Sequence, residues 1–140
     1  MAADLRIKAT MANSMIDLVK AAIDGGGSAG TIKIYTVGGG RPAGPATAPA
    51  GTLLATLTLA YPACGTTSGG VLTFGTITED SAADDTGTAA WARIADGAGV
   101  AVVDSDVSTT GAGINLNTVS IVAGGPVRLT SGSITVPTGS

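Results

Sequence analysis

Residues 88–104 read TAAWARIADGAGVAVVD, and this stretch decides the fold class. Two apolar runs flank Asp96-Gly97, a dipeptide that favours tight turns, so the pattern predicts a β-hairpin. On its first strand Trp91, Arg93 and Ala95 share one face, and Ala90, Ala92 and Ile94 share the other. Two orientations are open. With Trp91 in the core, Arg93 lies on its side and snorkels at the sandwich edge. With that face outward, Trp91 and Arg93 form an interface anchor pair. The chain has only four aromatic residues, and its largest is seldom left exposed, which favours the first.

Working outward, period-two alternation recurs. Leu53, Ala55, Leu57 and Leu59 share a face, as do Ile32 and Ile34. Strands are predicted over residues 31–37, 52–60, 71–77, 88–95, 98–104, 114–122, 127–130 and 133–136. Turn signals separate them at Gly69-Gly70, Asp96-Gly97, 111–113 and 124–126. About eight short strands at this spacing predict an all-β jelly roll or β-sandwich. The 140 residues fit a single jelly-roll domain spanning 1–140.

One short N-terminal helix is predicted over residues 13–24, after an N-terminal arm of residues 1–10. Asn13 or Ser14 can cap it, and Ser14 with Asp17 makes a weak capping box. Met15, Leu18, Val19, Ala22 and Ile23 then form its apolar face, and Gly25 stops it. GGGRPAGPATAPAG, residues 38–51, holds three prolines and reads as a surface loop. TEDSAADDTG, residues 78–87, carries four of the ten acidic residues and reads as an exposed loop.

Composition narrows the function classes. The chain is 44 % hydrophobic and only 12 % charged, about half the usual charged fraction. Such a surface is solvated by Thr, Ser, Gly and Ala, or it is covered by a partner. No apolar run approaches the ~20 residues of a spanning helix. MAADLRIK does not resemble a secretory leader. A single cysteine, Cys64, forms no internal disulfide, which fits assembly in a reducing cytoplasm. The seven basic residues are scattered except for Arg6 and Lys8, and the net charge is −3, so direct nucleic-acid binding is not expected.

Several catalytic motifs match on paper only. Gly26-Gly27-Ser28-Ala29-Gly30 fits G-x-S-x-G, but it follows a helix rather than a strand, and the chain has no histidine to activate Ser28 or Cys64. Gly25–Gly30 and Gly38–Ala43 approximate dinucleotide fingerprints. Pro45 and Pro49 break the helix that the second would need. Without histidine, transition-metal sites are not expected. Calcium would have to draw on Asp104-Ser105-Asp106, Glu79-Asp80 or Asp84-Asp85, none of which has EF-hand spacing. No catalytic, cofactor or metal residue is assigned, and the chain reads as a non-enzyme.

Three stretches carry a family resemblance: LRIKATMANSMIDLVKAAIDGG (5–26), GVLTFGTITEDSAADDTGTAAWARIADGAGVAVVDSDVSTTGAGINLNT (70–118) and VRLTSGSITVP (127–137). Together they resemble the capsid decoration, or cement, proteins of tailed bacteriophages. The resemblance implies a homodimeric jelly roll on the outer capsid surface. It would clamp major capsid protein subunits in the virion after assembly in the host cytoplasm, with no cofactor, nucleic acid or membrane. It carries no motif for individual contacts. Contact residues are instead expected in the N-terminal arm, Arg6 and Lys8, in the Pro-rich loop, Arg41 and Pro42, and along an exposed strand edge near the C-terminus. The alternative is a glycan-binding jelly-roll module on the virion or tail, which would need an exposed aromatic platform or a calcium cluster. A tail-fibre segment would show tandem repeats, which this sequence lacks.

Overall fold

A computed structural model describes residues 6–38, 41–64, 67–136 and 138–139. In chain order the elements are β1 (Ile7–Lys8), α1 (Ala9–Ile23), β2 (Thr31–Tyr35), β3 (Leu53–Thr58), β4 (Val71–Thr73), β5 (Gly87–Thr88), β6 (Trp91–Ala95), β7 (Ala101–Ser108), β8 (Ile114–Leu116), β9 (Ser120–Ile121), β10 (Leu129–Thr135) and β11 (Thr138–Gly139). Among the described residues the fold is all-β with a single short helix, compatible with the sandwich or jelly-roll class that the turn spacing predicts.

Seven strands form one curled sheet in the order β3-β2-β6-β7-β8-β10-β4. All of its pairings are antiparallel except β7 with β8. β5 pairs with β9, and β1 pairs in parallel with β11. The chain leaves β4 to reach the opposite edge strand, where Thr78 and Thr58 exchange backbone hydrogen bonds of 2.8 and 3.1 Å. This crossing draws the two edges of the curl toward each other.

Several predicted strands shorten or divide. Residues 114–122 become β8 and β9, residues 88–95 become β5 and β6, and the last two predictions fuse into β10. The hairpin turn also differs. Ala95 pairs with Ala101, so the loop takes five residues, 96–100, and the glycine with positive φ is Gly99 at 88°. Asp96 organises the loop, its Oδ1 accepting from the Ala98 and Val100 amides at 2.9 and 2.8 Å.

The helix begins at Ala9, four residues before its predicted start, directly after β1. Residues 9–12, Ala-Thr-Met-Ala, are mostly good helix formers, so nothing delays it. Ser14 therefore caps nothing: its hydroxyl donates to the Thr10 carbonyl at 3.1 Å inside the helix. Residues 7–10 are likewise not a free arm, because Ile7 and Lys8 pair with Thr138 and Gly139. Residues 1–5 of the predicted arm lie outside the described residues.

The hydrophobic cluster joins the helix to one side of the sheet. Ile16 and Ile23 pack with Ile32, Ile34, Leu57, Ala92 and Ile94, all buried, and with Leu72, Ile114 and Leu116 from the far strands. Among the described residues no helix is long and apolar enough to cross a membrane.

Candidate functional site

Alternation along β6 sends Ala92 and Ile94 into that cluster and Trp91 and Arg93 to the other face of the sheet. There the register aligns two rows, Tyr35–Trp91–Asp106 and Lys33–Arg93–Asp104. Tyr35 and Trp91 stack with ring centroids 4.7 Å apart, and the Trp91 indole N–H donates to the Thr36 carbonyl at 3.1 Å. The Arg93 guanidinium lies 5.4 Å from the Trp91 ring centre. Its Nε and Nη2 donate to the two oxygens of Asp104 at 2.8 and 3.0 Å.

Arg93 thus shares the side of a buried Trp91, as the core orientation predicts, but it does not snorkel at an edge. It is 7 % exposed, because Asp104 stands opposite and neutralises it. The hydrogen bond to Asp104 raises the Arg93 pKa, against the opposing effect of burial, so the group stays a fixed cation. Burial raises the Tyr35 phenol, Arg93 pulls it back, and Asp104 adds to the rise.

The Pro-rich loop reaches this plate. Arg93 Nη2 donates to the Gly44 carbonyl at 3.3 Å. The loop's stem is closed by Thr36 N donating to Thr52 O at 3.1 Å and Thr52 N donating to Thr36 Oγ1 at 2.9 Å. A buried ion pair on an aromatic stack therefore holds a loop that secondary structure does not. Arg41 is exposed at the loop's start, and Pro42 is half-buried beside it.

The other predicted contacts lie elsewhere. Lys8 is exposed at the N-terminal end of the helix, and the exposed Arg6 precedes β1. The helix packs on the face opposite the plate, so the structure does not bring Arg6 and Lys8 together with Arg41 and Pro42. Near the C-terminus β10 is an inner strand between β8 and β4, whereas β11 pairs on one side with β1 in a separate two-stranded sheet; the edges of the seven-stranded sheet are β3 and β4.

β3 is guarded by the acidic segment, which does more than hang in solvent. Asp80 Oδ2 accepts the Thr56 amide at 2.9 Å, and Asp84 N donates to the Leu54 carbonyl at 2.8 Å. Three other candidate calcium carboxylates have protein partners: Asp104 holds Arg93, Asp106 Oδ1 accepts the Gly113 amide at 3.0 Å, and Asp85 Oδ1 accepts the Thr86 amide at 2.8 Å. Among the described residues no group of three or more Cys, Asp or Glu is placed to hold a metal.

The glycine run after the helix is a landing pad for the hairpin tip. A Cβ on Gly26 would sit 2.6 Å from the Ala98 amide nitrogen. That close approach accounts for Gly26, whereas Gly27 takes a positive φ of 77° in open space and Gly30 lies against the Ala95 carbonyl. Cys64 is 2 % exposed, and burial pushes its thiol pKa up, opposed by Lys20.

Sequence reasoning missed one surface. The buried residues of the helix are Ala12, Ile16 and Ile23, with Val19 half-buried, whereas Met15, Leu18 and Ala22, predicted to face the sheet, are exposed. Met11, Met15 and Leu18 are 57, 45 and 73 % exposed. At positions i, i+4 and i+7 they lie along one stripe of the helix surface. No protein-family model, curated protein or solved structure matches the chain.

Proposed function

We propose that this chain is a structural virion protein that binds the outer surface of an assembled phage capsid and stabilises contacts between major capsid protein subunits. Its partners are the major capsid protein and a second copy of itself, and its chemistry is recognition without turnover. The observation that carries the reading is the bare apolar face of α1 on a chain with only 12 % charged residues. A surface of that kind is built to be covered. The family resemblance of residues 5–26, 70–118 and 127–137 supplies the kind of partner.

The mechanism follows from linkage. A protein that binds the assembled lattice and not its loose precursor stabilises the lattice by mass action. Modest contacts repeated over many equivalent positions add up through avidity. The braced Pro-rich loop suits this role, since an ordered loop loses less entropy on docking. Arg41 and Lys8 are exposed cations available to acidic capsid surface.

The test is co-sedimentation with purified capsids that lack the protein, in expanded and unexpanded forms. The expected result is saturable binding to expanded shells, weakened by Arg41→Glu and Lys8→Glu. Binding to neither form sinks the reading, and so does turnover of a small molecule by the isolated protein. Point substitutions are preferable to deleting residues 1–8, because that deletion also removes β1 from its pairing with β11.

A further inference from the structure

The Pro-rich loop turns its prolines inward. Pro42, Gly44, Pro45 and Pro49 are half-buried, whereas Arg41, Ala43, Ala46, Thr47 and Ala48 are exposed. Next to Arg93 on the plate, Tyr35 and Trp91 are buried, although the helix and its hydrophobic cluster occupy the opposite face of the sheet.

No ladder holds the loop in place. Among the described residues, the one main-chain bond made by residues 41–50 is internal, Thr47 N donating to Gly44 O at 3.1 Å. Their one polar tie to the plate is the Gly44 carbonyl on Arg93 Nη2 at 3.3 Å. That is longer than the usual ~2.7–3.2 Å for N–H···O, and the same nitrogen serves Asp104 at 3.0 Å. At the neck, Gly38 and Gly51 approach so closely that a Cβ on Gly38 would collide with the Gly51 Cα. The loop leaves and rejoins the sheet at one point, so residues 41–50 can lift off the plate without unpairing a strand.

Extended proline-rich peptides offer carbonyl acceptors and flat rings, carry few donors, and lose little entropy on docking. They settle on aromatic surfaces for those reasons. We propose that the Tyr35–Trp91–Arg93 plate is a binding site for an extended proline-rich peptide, filled in the free chain by its own residues 41–50. The loop is a ligand in cis, and a proline-rich segment of a partner protein takes its seat when it lifts. Arg93 supplies one donor to a main-chain carbonyl of the guest, and the aromatic pair supplies the surface for its rings. The seat suits an uncharged guest, because Asp104 already neutralises Arg93. None of this draws on the capsid reading.

A tethered loop of this kind acts at an effective concentration of about a millimolar. It weakens any competitor in proportion to the time it occupies the seat. The free chain is therefore self-blocked, and loosening the loop should unmask the site.

Trp91 is the chain's one tryptophan, so its fluorescence reads the plate alone. Two full-length variants weaken the cis ligand. One is Pro42→Ser/Pro45→Ser/Pro49→Ser; the other carries a protease site between the exposed Thr47 and Ala48 and is cut after folding. Acrylamide quenching of Trp91 should rise in both, at least twofold in the serine variant. The synthetic peptide RPAGPATAPA, residues 41–50, should reverse that rise and bind both variants at least tenfold more tightly than the parent. The peptide RSAGSATASA should do neither. Parent-like quenching in both variants, no response to the proline peptide, or an equal response to the serine peptide would each overturn the site. The cut chain decides alone if the serine variant loses its fold, because its loop is opened only once the sheet has formed.

Discussion

Arg93 and Asp104 meet across the β6–β7 hairpin as a two-pronged ion pair, with side chains only 9 % and 7 % exposed. The pair stands on a Tyr35–Trp91 stack, and one guanidinium nitrogen is spent on the Gly44 carbonyl. Two long-range jobs are thereby fused: zipping the hairpin and holding the Pro-rich loop.

Breaking either half leaves a buried charge without its counter-ion, which costs about 3–5 kcal/mol. Arg93→Ala and Asp104→Ala should each lower unfolding free energy by that amount in urea titrations. The double variant Arg93→Met/Asp104→Leu should recover most of it, since both desolvated charges are gone. Its Pro-rich loop should still exchange amide hydrogens faster than in the parent, because the bond to Gly44 is lost. Equal losses in the single and double variants would show that the pair is not energetically coupled.

Burial raises both the Cys64 thiol and the Tyr35 phenol above their ordinary values of 9.0 and 10.0. In each case Lys20 or Arg93 offsets part of the effect. The native state therefore keeps protons that the unfolded chain releases. The sign follows: this stability is fully present below the unfolded pKa values and is lost as pH climbs through the higher folded ones. Unfolding free energy should be flat near neutrality and fall from about pH 9 upward. Cys64→Ala should remove the earlier part of that fall, whatever its offset at pH 7. An alkaline limb identical in parent and variant would count against the thiol.

The existence of elements was legible from alternation and turn residues, and their register was not. Reading Asp96-Gly97 as a two-residue turn pairs Ala95 with Ala98 and sets Arg93 against Val100. The five-residue loop and the irregularity between Ile94 and Ala95 set Arg93 against Asp104 instead. The ion pair was invisible because its partner depended on that shift. The helix posed a different problem. Two adjacent seams of equal spacing compete for the sheet, and periodicity alone does not choose between them. The inner one holds the β-branched residues Ile16, Val19 and Ile23, and the outer one holds the flexible methionines Met11 and Met15. Arg41 was readable as exposed from the prolines around it, but the brace beneath its loop spans 49 residues of sequence and has no local signature.

Gly26 and Gly44 separate glycine used for space from glycine used for nothing but flexibility. A Cβ on Gly26 would lie 2.6 and 2.7 Å from the Ala98 and Gly97 nitrogens, whereas one on Gly44 meets nothing within 4 Å. Gly26→Ala must push the hairpin tip away and should cost about 1–3 kcal/mol. Gly44→Ala should be neutral or stabilising by up to about 1 kcal/mol through the unfolded state. Thermal melts of the two variants make the comparison, and similar shifts would contradict the proposed landing pad.

Asp80 offers the sharpest test of how the sheet is kept from growing. β3 is an edge strand with a row of main-chain groups that would otherwise pair with another chain. The Asp80 carboxylate occupies one of them, the Thr56 amide, and its other oxygen accepts the Ala82 amide at 3.1 Å. The backbone of the same residue is tied to Val127 by hydrogen bonds of 3.0 and 2.8 Å. Asp80→Ala removes the side-chain cap and leaves those backbone bonds in place. The stability loss should be about 1–3 kcal/mol, the cost of an orphaned amide and a charged acceptor. The larger consequence should be colloidal: faster thioflavin-positive aggregation at matched unfolded fraction, since the freed edge is a template. Asp80→Asn keeps an acceptor oxygen and should fall between parent and alanine on both measures. Aggregation that merely tracks global stability across the three proteins would show that the acidic segment is not an edge guard.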